Sequence, residues 1–327
     1  MNMEKAENKF SRSAFRRFTR NNSTEFTLLL ILIAFCILAA ILSPYFLTPS
    51  NLANIGTSMS YIGVIAAGLT VVMLMGGIDL SQTSAMAIAV MIVGIFAKRG
   101  VNPTLIILLA IVIGAGCGLL NALIIVAMGV MPMIATIGTQ MIFRALAYIT
   151  TSGKYMSFSS PVFDAIGYGK FLGIPIMMWV MLVVFVVIGF ILHFTRLGRE
   201  IYAIGSNADA SYLSGIRIRR IKTIGYFICG ITSGIAGILW ASQLGTAVST
   251  AGEGSEMTPI AAAVIGGVSL NGGKGKIYGA FLGTALLTIF TNLMALLTVD
   301  AYYQKMLNGV ILILAVFIDI LRNTKKD

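Results

Sequence analysis

Residues 174–194 read IPIMMWVMLVVFVVIGFILHF, a stretch of 21 residues that contains no aspartate, glutamate, lysine or arginine. Because an α-helix needs about 20 mostly apolar residues to cross the hydrocarbon of a bilayer, this stretch predicts a transmembrane helix. Residues 204–222, IGSNADASYLSGIRIRRIK, are polar and strongly basic toward their end, where another apolar stretch begins. The alternation predicts a membrane bundle that carries a polar loop.

The composition extends this prediction to the whole chain. Of 327 residues, 57% are hydrophobic and 11% are charged, and the mean hydropathy is +0.92. A soluble domain carries about 25% charged residues, so we expect an integral membrane protein with the lipid bilayer as its main solvent. The three cysteines lie in apolar stretches and the chain has one histidine, so neither a disulfide framework nor a metal site is predicted.

Ten apolar stretches are long enough, or almost long enough, to cross a membrane. They lie at 26–43, 55–75, 81–97, 104–127, 131–150, 174–194, 221–243, 258–270, 276–297 and 305–321. The eighth is short, and we expect it to be a broken or re-entrant segment. The expected fold class is therefore all-α, a polytopic transmembrane helical bundle of about ten spans over residues 26–321.

The two ends of the chain are expected to be polar tails, at 1–25 and 322–327. The first tail holds six basic residues, and the apolar stretch behind it has no small-residue cleavage site. We therefore expect a retained first helix rather than a cleaved signal peptide.

Basic residues predict the orientation, because loops on the cytoplasmic side carry an excess of lysine and arginine. With a cytoplasmic N-terminus and an even number of spans, both tails and alternate loops, including 195–220, lie inside and hold 17 of the 23 basic residues. Five lie outside, and among them Lys98 and Arg99 depart mildly from the rule. Topology thus explains the net charge of +11, and no nucleic-acid partner is expected.

Pairs of glycines four residues apart predict close contacts between helix backbones within the bilayer. They are Gly114 and Gly118, Gly230 and Gly234, and Gly279 and Gly283.

The carboxylates argue against other functions. They lie almost all in tails or loops, and only Asp79 and Asp319 approach a span, which weakens an autonomous carrier or channel without excluding it. No nucleophile–base pair or carboxylate pair indicates a membrane enzyme. The run GGVSLNGGKGK at 266–276 fails the G-x-x-x-x-G-K-[ST] pattern in either frame, so no nucleotide site is expected.

Two glycine turns share the pattern G-G-[IV]-x-L, GGIDLS at 76–81 and GGVSLN at 266–271. Internal duplication is one explanation. Paired glycines allow positive φ where a helix breaks, so these turns either border a pathway or gate, or are tight connections.

The polar loop contains signals for a short helix over 208–214. Asn207 is a suitable N-cap, Asp209 lies at the positive end of the helix dipole, and Gly215 suits the left-handed position that ends a helix. A basic run follows. The loop is either a solvated connection or a surface that binds a partner.

The loop also carries a motif. Asp209-Ala210-Ser211 followed by Gly215 resembles the E-A-A-x-x-x-G signature of ABC importer permeases. Nearly the whole chain is similar to the ribose-type sugar permease family, the inner-membrane component of binding-protein-dependent transport systems. The most specific stretches are GGIDLS, ATIGT at 135–139, TRLGREIYAIGSNADASYLSGI at 195–216 and IAAAVIGGVSLNGG at 260–273. Departures occur at Ser206, Gln82, Thr83 and Pro259.

The resemblance implies a multi-pass permease in the bacterial inner membrane. Its partners would be a cytoplasmic ABC ATPase with two nucleotide-binding domains, an extracytoplasmic sugar-binding protein, and a second permease copy or homologue. ATP would be used by the ATPase, and this chain would bind no cofactor. The helix at 208–214 would be the coupling helix, with contacts expected from Asn207, Asp209, Ala210, Ser211, Gly215, Arg217, Arg219 and Arg220.

Two further sets of residues are expected to serve transport. A path or gate for a neutral sugar is expected among Gly76, Gly77, Asp79, Asn121, Thr136, Thr139, Gln140, Gln243, Gly266, Gly267 and Asn292; the polar ones in spans are alternatively interhelical hydrogen-bonding groups. Docking of the binding protein is expected at Lys154, Asp164, Glu253 and Glu256, which are alternatively unengaged surface. Arg144, within a span, is expected to be structural, because it must find a carbonyl, water or acid.

Overall fold

The computed structural model describes residues 23–324, so most of the two predicted tails lies outside the described residues. The helices of this part are α1 (Ser23–Leu42), α2 (Pro49–Leu74), α3 (Gln82–Lys98), α4 (Pro103–Ala122), α5 (Pro132–Ile149), α6 (Pro161–Tyr168), α7 (Ile176–Phe194), α8 (Arg196–Ser206), α9 (Ala208–Leu213), α10 (Ile218–Leu244), α11 (Met257–Ile265), α12 (Ile277–Leu296) and α13 (Ala301–Thr324). A five-residue π-helical turn, Leu123–Ala127, extends α4.

The described part of the chain also contains four strands of two residues each. They form the antiparallel pairs β1 (Met156–Ser157) with β4 (Thr246–Ala247), and β2 (Lys170–Phe171) with β3 (Ile174–Pro175). The all-α prediction is therefore confirmed.

Among the described residues, seven helices are long and apolar enough to cross a membrane: α1, α2, α4 with its π turn, α5, α7, α10 and α12. The apolar α3 is shorter, at 17 residues, and α11 has nine. The multi-pass architecture is thus confirmed, whereas the count of ten spans and the placement of the termini stay predictions. The short α11 matches the broken segment expected at 258–270.

Local chemistry explains where the spans differ from the predicted bounds. Helix α2 begins six residues before the predicted 55, because Thr48 accepts a hydrogen bond from the Asn51 N–H and Pro49 occupies the first helical turn. Helix α11 ends at Ile265, before the predicted 270, because the chain turns at the glycine pair that follows it.

The centre of the bundle is α10, which packs on α2, α3 and α4, and α3 also packs on α4. Every residue from Gly63 to Met75 is buried, so this half of α2 is surrounded by protein. Helix α1 lies outside this centre and packs on α12. Glu25 of α1 forms an ion pair of 3.2 Å with Lys276, just before α12.

The predicted glycine pairs lie where helix backbones touch. A Cβ on Gly114 of α4 would collide with the backbone of Gly230 and Gly234 of α10, and one on Gly118 would collide with the Tyr226 carbonyl. Near the start of α12, a Cβ on Gly279 would collide with backbone atoms just after α11. These glycines let the helices approach closely, as expected for helix contacts in lipid.

We expect Gly114→Ala to lower the free energy of unfolding by about 1–3 kcal/mol, because the added methyl group overpacks a backbone contact. Gly116→Ala, in the same helix, is the control, since no heavy atom lies within 4 Å of its added Cβ. Alanine also favours helix over glycine, so the control should be neutral or stabilising. Thermal unfolding of the two variants in detergent makes the comparison; equal melting temperatures would contradict the close packing of α4 on α10.

Candidate functional site

We call the end of the bundle that carries α8 and α9 the loop end, and the opposite end, which carries the strand pairs, the far end. A buried polar cluster follows α2. The carboxylate of Asp79, 3% exposed, accepts hydrogen bonds from the Ser81 N–H (2.9 Å) and hydroxyl (2.7 Å). The Asn121 amide nitrogen lies 3.3 and 3.4 Å from its two oxygens, and the Thr139 hydroxyl donates to the Asn121 carbonyl oxygen (2.6 Å).

The GGIDLS turn places Asp79 in this position. Gly76 has φ +74°, and the N–H groups of Gly76 and Gly77 bond to the carbonyls of Met73 (2.9 Å) and Val72 (3.0 Å). This is the Schellman pattern with a left-handed glycine, which ends α2 and reverses the chain. The non-helical residues after it are enclosed by protein, which is the condition for irregular backbone inside a membrane bundle.

Neutral donors surround the Asp79 carboxylate. None of the three ion pairs among the described residues includes it. The predicted path residues Asp79, Asn121 and Thr139 are thus brought together, and their hydrogen bonds are made to one another across three elements. This arrangement favours the alternative of interhelical hydrogen bonding, and their role in a path stays a prediction.

Of the other polar residues predicted for the path, Thr136 adjoins this cluster, since its carbonyl lies 3.3 Å from the Thr139 hydroxyl, whereas Gln140, Gln243 and Asn292 make none of the hydrogen bonds of the cluster. Thr136 bonds to the Pro132 carbonyl within α5 (2.9 Å), and Gln140 and Gln243 are half-buried. The Asn292 amide exchanges two hydrogen bonds with the Asn51 amide (2.8 and 3.0 Å), joining α12 to the start of α2.

The second glycine turn meets the first at the loop end. The Gly273 N–H donates to the Leu74 carbonyl (2.9 Å), and a Cβ on Gly272 would lie 2.7 Å from the Gly76 nitrogen. A Cβ on Gly205, near the end of α8, would collide with Leu74 and Gly273. We call this contact of residues 74–77, 205–206 and 271–273 the glycine junction, because only glycine allows three backbones to approach so closely.

The second turn repeats the bond pattern of the first. Gly267 has φ +85°, and the N–H groups of Gly267 and Val268 bond to the carbonyls of Val264 (2.8 Å) and Ala263 (2.9 Å). The left-handed residue is the second glycine here and the first in GGIDLS, so the two Schellman turns are out of register by one residue. Gly266 packs on the Gly279 backbone.

The polar loop folds as its sequence predicts. The Asn207 side chain accepts a hydrogen bond from the Ala210 N–H (2.9 Å) and caps α9. Gly215 has φ +80°, with bonds from its N–H to the Tyr212 carbonyl (2.9 Å) and from the Ile216 N–H to the Ser211 carbonyl (3.0 Å). The predicted helix at 208–214 is therefore confirmed to within one residue, with both ends fixed.

The two faces of α9 differ. Ser211, 4% exposed, turns toward the protein and bonds to the Asn207 carbonyl (2.8 Å). Asp209 is exposed, as are Tyr212 (71%) and Leu213 (85%). The sequence prediction did not single out Tyr212 or Leu213, although two large apolar residues in a polar loop were the available signal.

A side-chain hydrogen bond joins helix α8 to the turn at 271–276. The Tyr202 hydroxyl donates to the Gly275 carbonyl (2.9 Å). Burial, and then the nearby Tyr278, raise the pKa of Tyr202 to about 12, so the phenol stays protonated and remains a donor at neutral pH.

Beside α9 lies a basic groove of about 600 Å³ between α8 and the start of α10. The predicted coupling residues Arg217 and Arg220 line it, together with Arg196. Arg196 pairs with Glu200 at 2.8 Å. Arg219 is exposed beside the groove.

At the far end, Arg144 of α5 holds the 245–256 loop. Its Nη1 donates to the carbonyls of Ser249 and Ala251, both at 2.8 Å, and its Nη2 lies 3.9 Å from Glu256. The Tyr148 hydroxyl donates to Glu253 (3.1 Å). The expectation that Arg144 finds carbonyls and an acid is confirmed, and both predicted docking glutamates contact α5.

A second groove of about 600 Å³ opens at the far end. Lys98, Arg99 and the predicted docking residue Lys154 line it, with Thr150 and Tyr155, and none of the described residues that line it is acidic. The two cations that depart from the positive-inside rule therefore lie together with a third. Asp164 lies in α6, where it accepts from Ser159 (3.3 Å). Among the described residues, no group of three or more potential ligands could hold a metal ion.

Known proteins are similar to this chain in sequence. The family model for the permease component of the branched-chain amino acid transport system matches residues 51–316. The ribose import permease of Escherichia coli strain K12 is 38% identical over 311 residues, which cover 94% of this chain and 97% of that protein. The ribose import permease of Bacillus subtilis strain 168 is 39% identical over 285 residues (86% and 88%). An L-arabinose ABC transporter permease of Azospirillum brasilense is 34% identical over 303 residues (90% and 88%). No solved structure matches.

We expect Asp79→Ala to lower the free energy of unfolding by about 1–3 kcal/mol, because it leaves the buried N–H and hydroxyl of Ser81 without the acceptor that they share. Asp79→Asn keeps one carbonyl oxygen and should lose less. Asp209→Ala, at an exposed aspartate of α9, is the control. The measurement is the melting temperature of each variant in detergent. An Asp79→Ala variant as stable as the control would disprove the role of the cluster in joining helices.

Proposed function

The chain belongs to the family of permease components of the branched-chain amino acid transport system type, and from this premise we propose that it is the membrane subunit of an ATP-driven sugar importer. It is a sugar ABC importer permease, a transport component rather than an enzyme, and a multi-pass protein of the inner membrane. A cytoplasmic ATPase with two nucleotide-binding domains drives transport, and an extracytoplasmic binding protein delivers the sugar.

The observation that carries the proposal is the exposed apolar face of α9. Tyr212 and Leu213 project from a polar loop, where large apolar side chains gain stability when a partner covers them. The Asn207 cap and the Gly215 turn fix both ends of this short helix. A rigid helix with an apolar tip is suited to lie in a groove of the ATPase.

The glycine junction provides a route for movement from α9 into the bundle. Helix α8 precedes α9 directly, and Gly205 in its last turn contacts Leu74 and Gly273 without intervening side chains. The Tyr202 bond to Gly275 adds a second connection. Because close-packed backbones are not continuously deformable, displacement of α9 by the ATPase moves the end of α2 and the turn before α12 with it.

Charge supports the orientation that the proposal requires. The described loops at the loop end carry more lysines and arginines than those at the far end, which supports a cytoplasmic α9 in this proposal. The ion pair between Glu25 and Lys276 sets the start of α1 at the same end. The far end then faces outward. We assign its basic groove to the binding protein, rather than Glu253 and Glu256, because these two glutamates already contact Tyr148 and Arg144.

A second permease copy or a homologue completes the transporter in this proposal. The alternative of an autonomous carrier requires that the chain move its solute alone. Proteoliposomes that contain only this chain should therefore show no uptake of D-ribose or L-arabinose, whereas ATP-dependent uptake should appear when the ATPase and the binding protein are added. Uptake by the chain alone would favour the carrier.

We expect Leu213→Asp to reduce co-purification of the ATPase at least tenfold, because it places a charge at the centre of an apolar contact. Leu172→Asp is the matched control, since Leu172 is 78% exposed but lies in the β2–β3 turn at the far end. Both variants should reach the membrane in normal amounts. Unchanged ATPase recovery with Leu213→Asp would rule out α9 as the coupling helix.

We expect the double variant Lys98→Glu with Arg99→Glu to lower binding-protein-dependent uptake about tenfold at low salt, since charge reversal at a rim slows association. The loss should shrink at high salt, where these charges are screened. Lys170→Glu, at the same end but outside the groove, is the control. If the uptake rate equalled that of the control at all salt concentrations, the groove would have no role in docking the binding protein.

A further inference from the structure

A cleft of about 240 Å³ lies between α2, α12 and the start of α11, in the half of the bundle nearer the far end. Its polar lining is uncharged and consists of Ser58, Tyr61, Thr258, Thr288, Thr291 and Asn292. No described residue that lines it carries a charge. The Asn51–Asn292 amide pair borders it toward the far end.

Thr288 has an unusual hydroxyl for a residue in a helix. A helical threonine normally bonds its hydroxyl to the carbonyl one turn earlier. On the same helix, Thr284 bonds to Ala280 (2.8 Å) and Thr291 to Leu287 (3.0 Å). Thr288 is only 5% exposed, yet its hydroxyl has no hydrogen-bond partner among the described residues. Such a group costs about 1–3 kcal/mol unless something else bonds to it.

The facing side of the cleft has a similar feature. On α2, Thr57 bonds to the Ala53 carbonyl (2.8 Å) and Ser60 to the Gly56 carbonyl (2.6 Å). The half-buried Ser58 between them takes part in none of the hydrogen bonds found among the described residues. Two hydroxyls on facing helices are therefore free to bond to a molecule between them.

We propose that this cleft binds the sugar during its passage through the permease, an inference that rests on the proposed function. A neutral polyol is recognised by uncharged groups that both donate and accept, and hydroxyls do both. The Tyr61 ring supplies an apolar face for the carbon side of the sugar ring. A charged solute has no partner in this lining.

The elements of the cleft are those that the glycine junction joins at the other end of the bundle. Helix α2 ends at the junction, and the turn between α11 and α12 forms its third part. A displacement of the junction by α9 therefore changes the separation of α2 from α11 and α12. Opening and closing of the cleft is thus coupled to the ATPase through one continuous set of backbone contacts.

The experiment compares Thr288→Val with Thr284→Val in proteoliposomes that contain the permease, its ATPase and its binding protein, with labelled D-ribose and L-arabinose as probes. Valine keeps the shape of threonine and removes the hydroxyl. Loss of one neutral hydrogen bond should lower the maximal uptake rate about fivefold for Thr288→Val. Thr284→Val should stay at the wild-type rate, and Thr288→Ser, which retains the hydroxyl, should recover most of the loss.

A labelling experiment tests the cleft independently, in case the Thr288→Val variant does not fold. Ser58→Cys should react with N-ethylmaleimide, and saturating sugar in the working transporter should slow the reaction severalfold, with the wild-type chain and its three native cysteines as background. Sugar binding in the cleft would be disproved if the Thr288→Val and Thr284→Val variants took up sugar at equal rates. It would also be disproved if sugar did not change the rate at which Ser58→Cys is labelled. The proposed function is tested separately, by whether uptake through the wild-type transporter needs ATP and the binding protein. If it does, either of these results excludes the cleft as a sugar site without contradicting the proposed function.

Discussion

The hydrogen bond from the Gly273 N–H to the Leu74 carbonyl is the contact on which the rest of this structure depends. It joins the end of α2 to the turn before α12, and Gly205 brings α8 onto the same point. Side chains would hold these three backbones apart, and the polar backbone groups would then need other partners in a place with little water. The junction therefore fixes the bundle and, in our proposal, receives the movement of α9.

Polar side chains inside the bundle also need hydrogen-bond partners from the protein, because little water reaches them. Asp79 has its acceptors filled by Ser81 and Asn121, and Arg144 has two backbone carbonyls. Both sites draw on α5, which contributes Thr139 to one and Arg144 to the other, so one helix links the junction side to the far end. The hydroxyl of Thr288 is one of several buried polar atoms that have no hydrogen-bond partner among the described residues, and it lines the neutral cleft, which is why we assign it a ligand.

Much of the fold could be predicted because hydropathy and local capping are properties of short segments. The span α7, the helix α9 and the left-handed Gly215 all follow from neighbouring residues. Contacts between distant segments could not be predicted: the sequence does not indicate that Arg144 and Tyr148 engage Glu256 and Glu253, or that Ser211 faces inward. The cleft could not be predicted either, because Thr288 and Thr284 differ only in whether the hydroxyl bonds to the preceding turn of α12.

The most direct test of the account is a photo-crosslink from α9. A photoreactive amino acid at Leu213, in the assembled transporter in native membranes, should form an adduct with the ATPase, and its yield should change when ATP is added. The account is contradicted if no ATPase adduct forms in a transporter that is active, or if Leu213 reacts with a membrane-impermeant reagent that is applied from outside the cell.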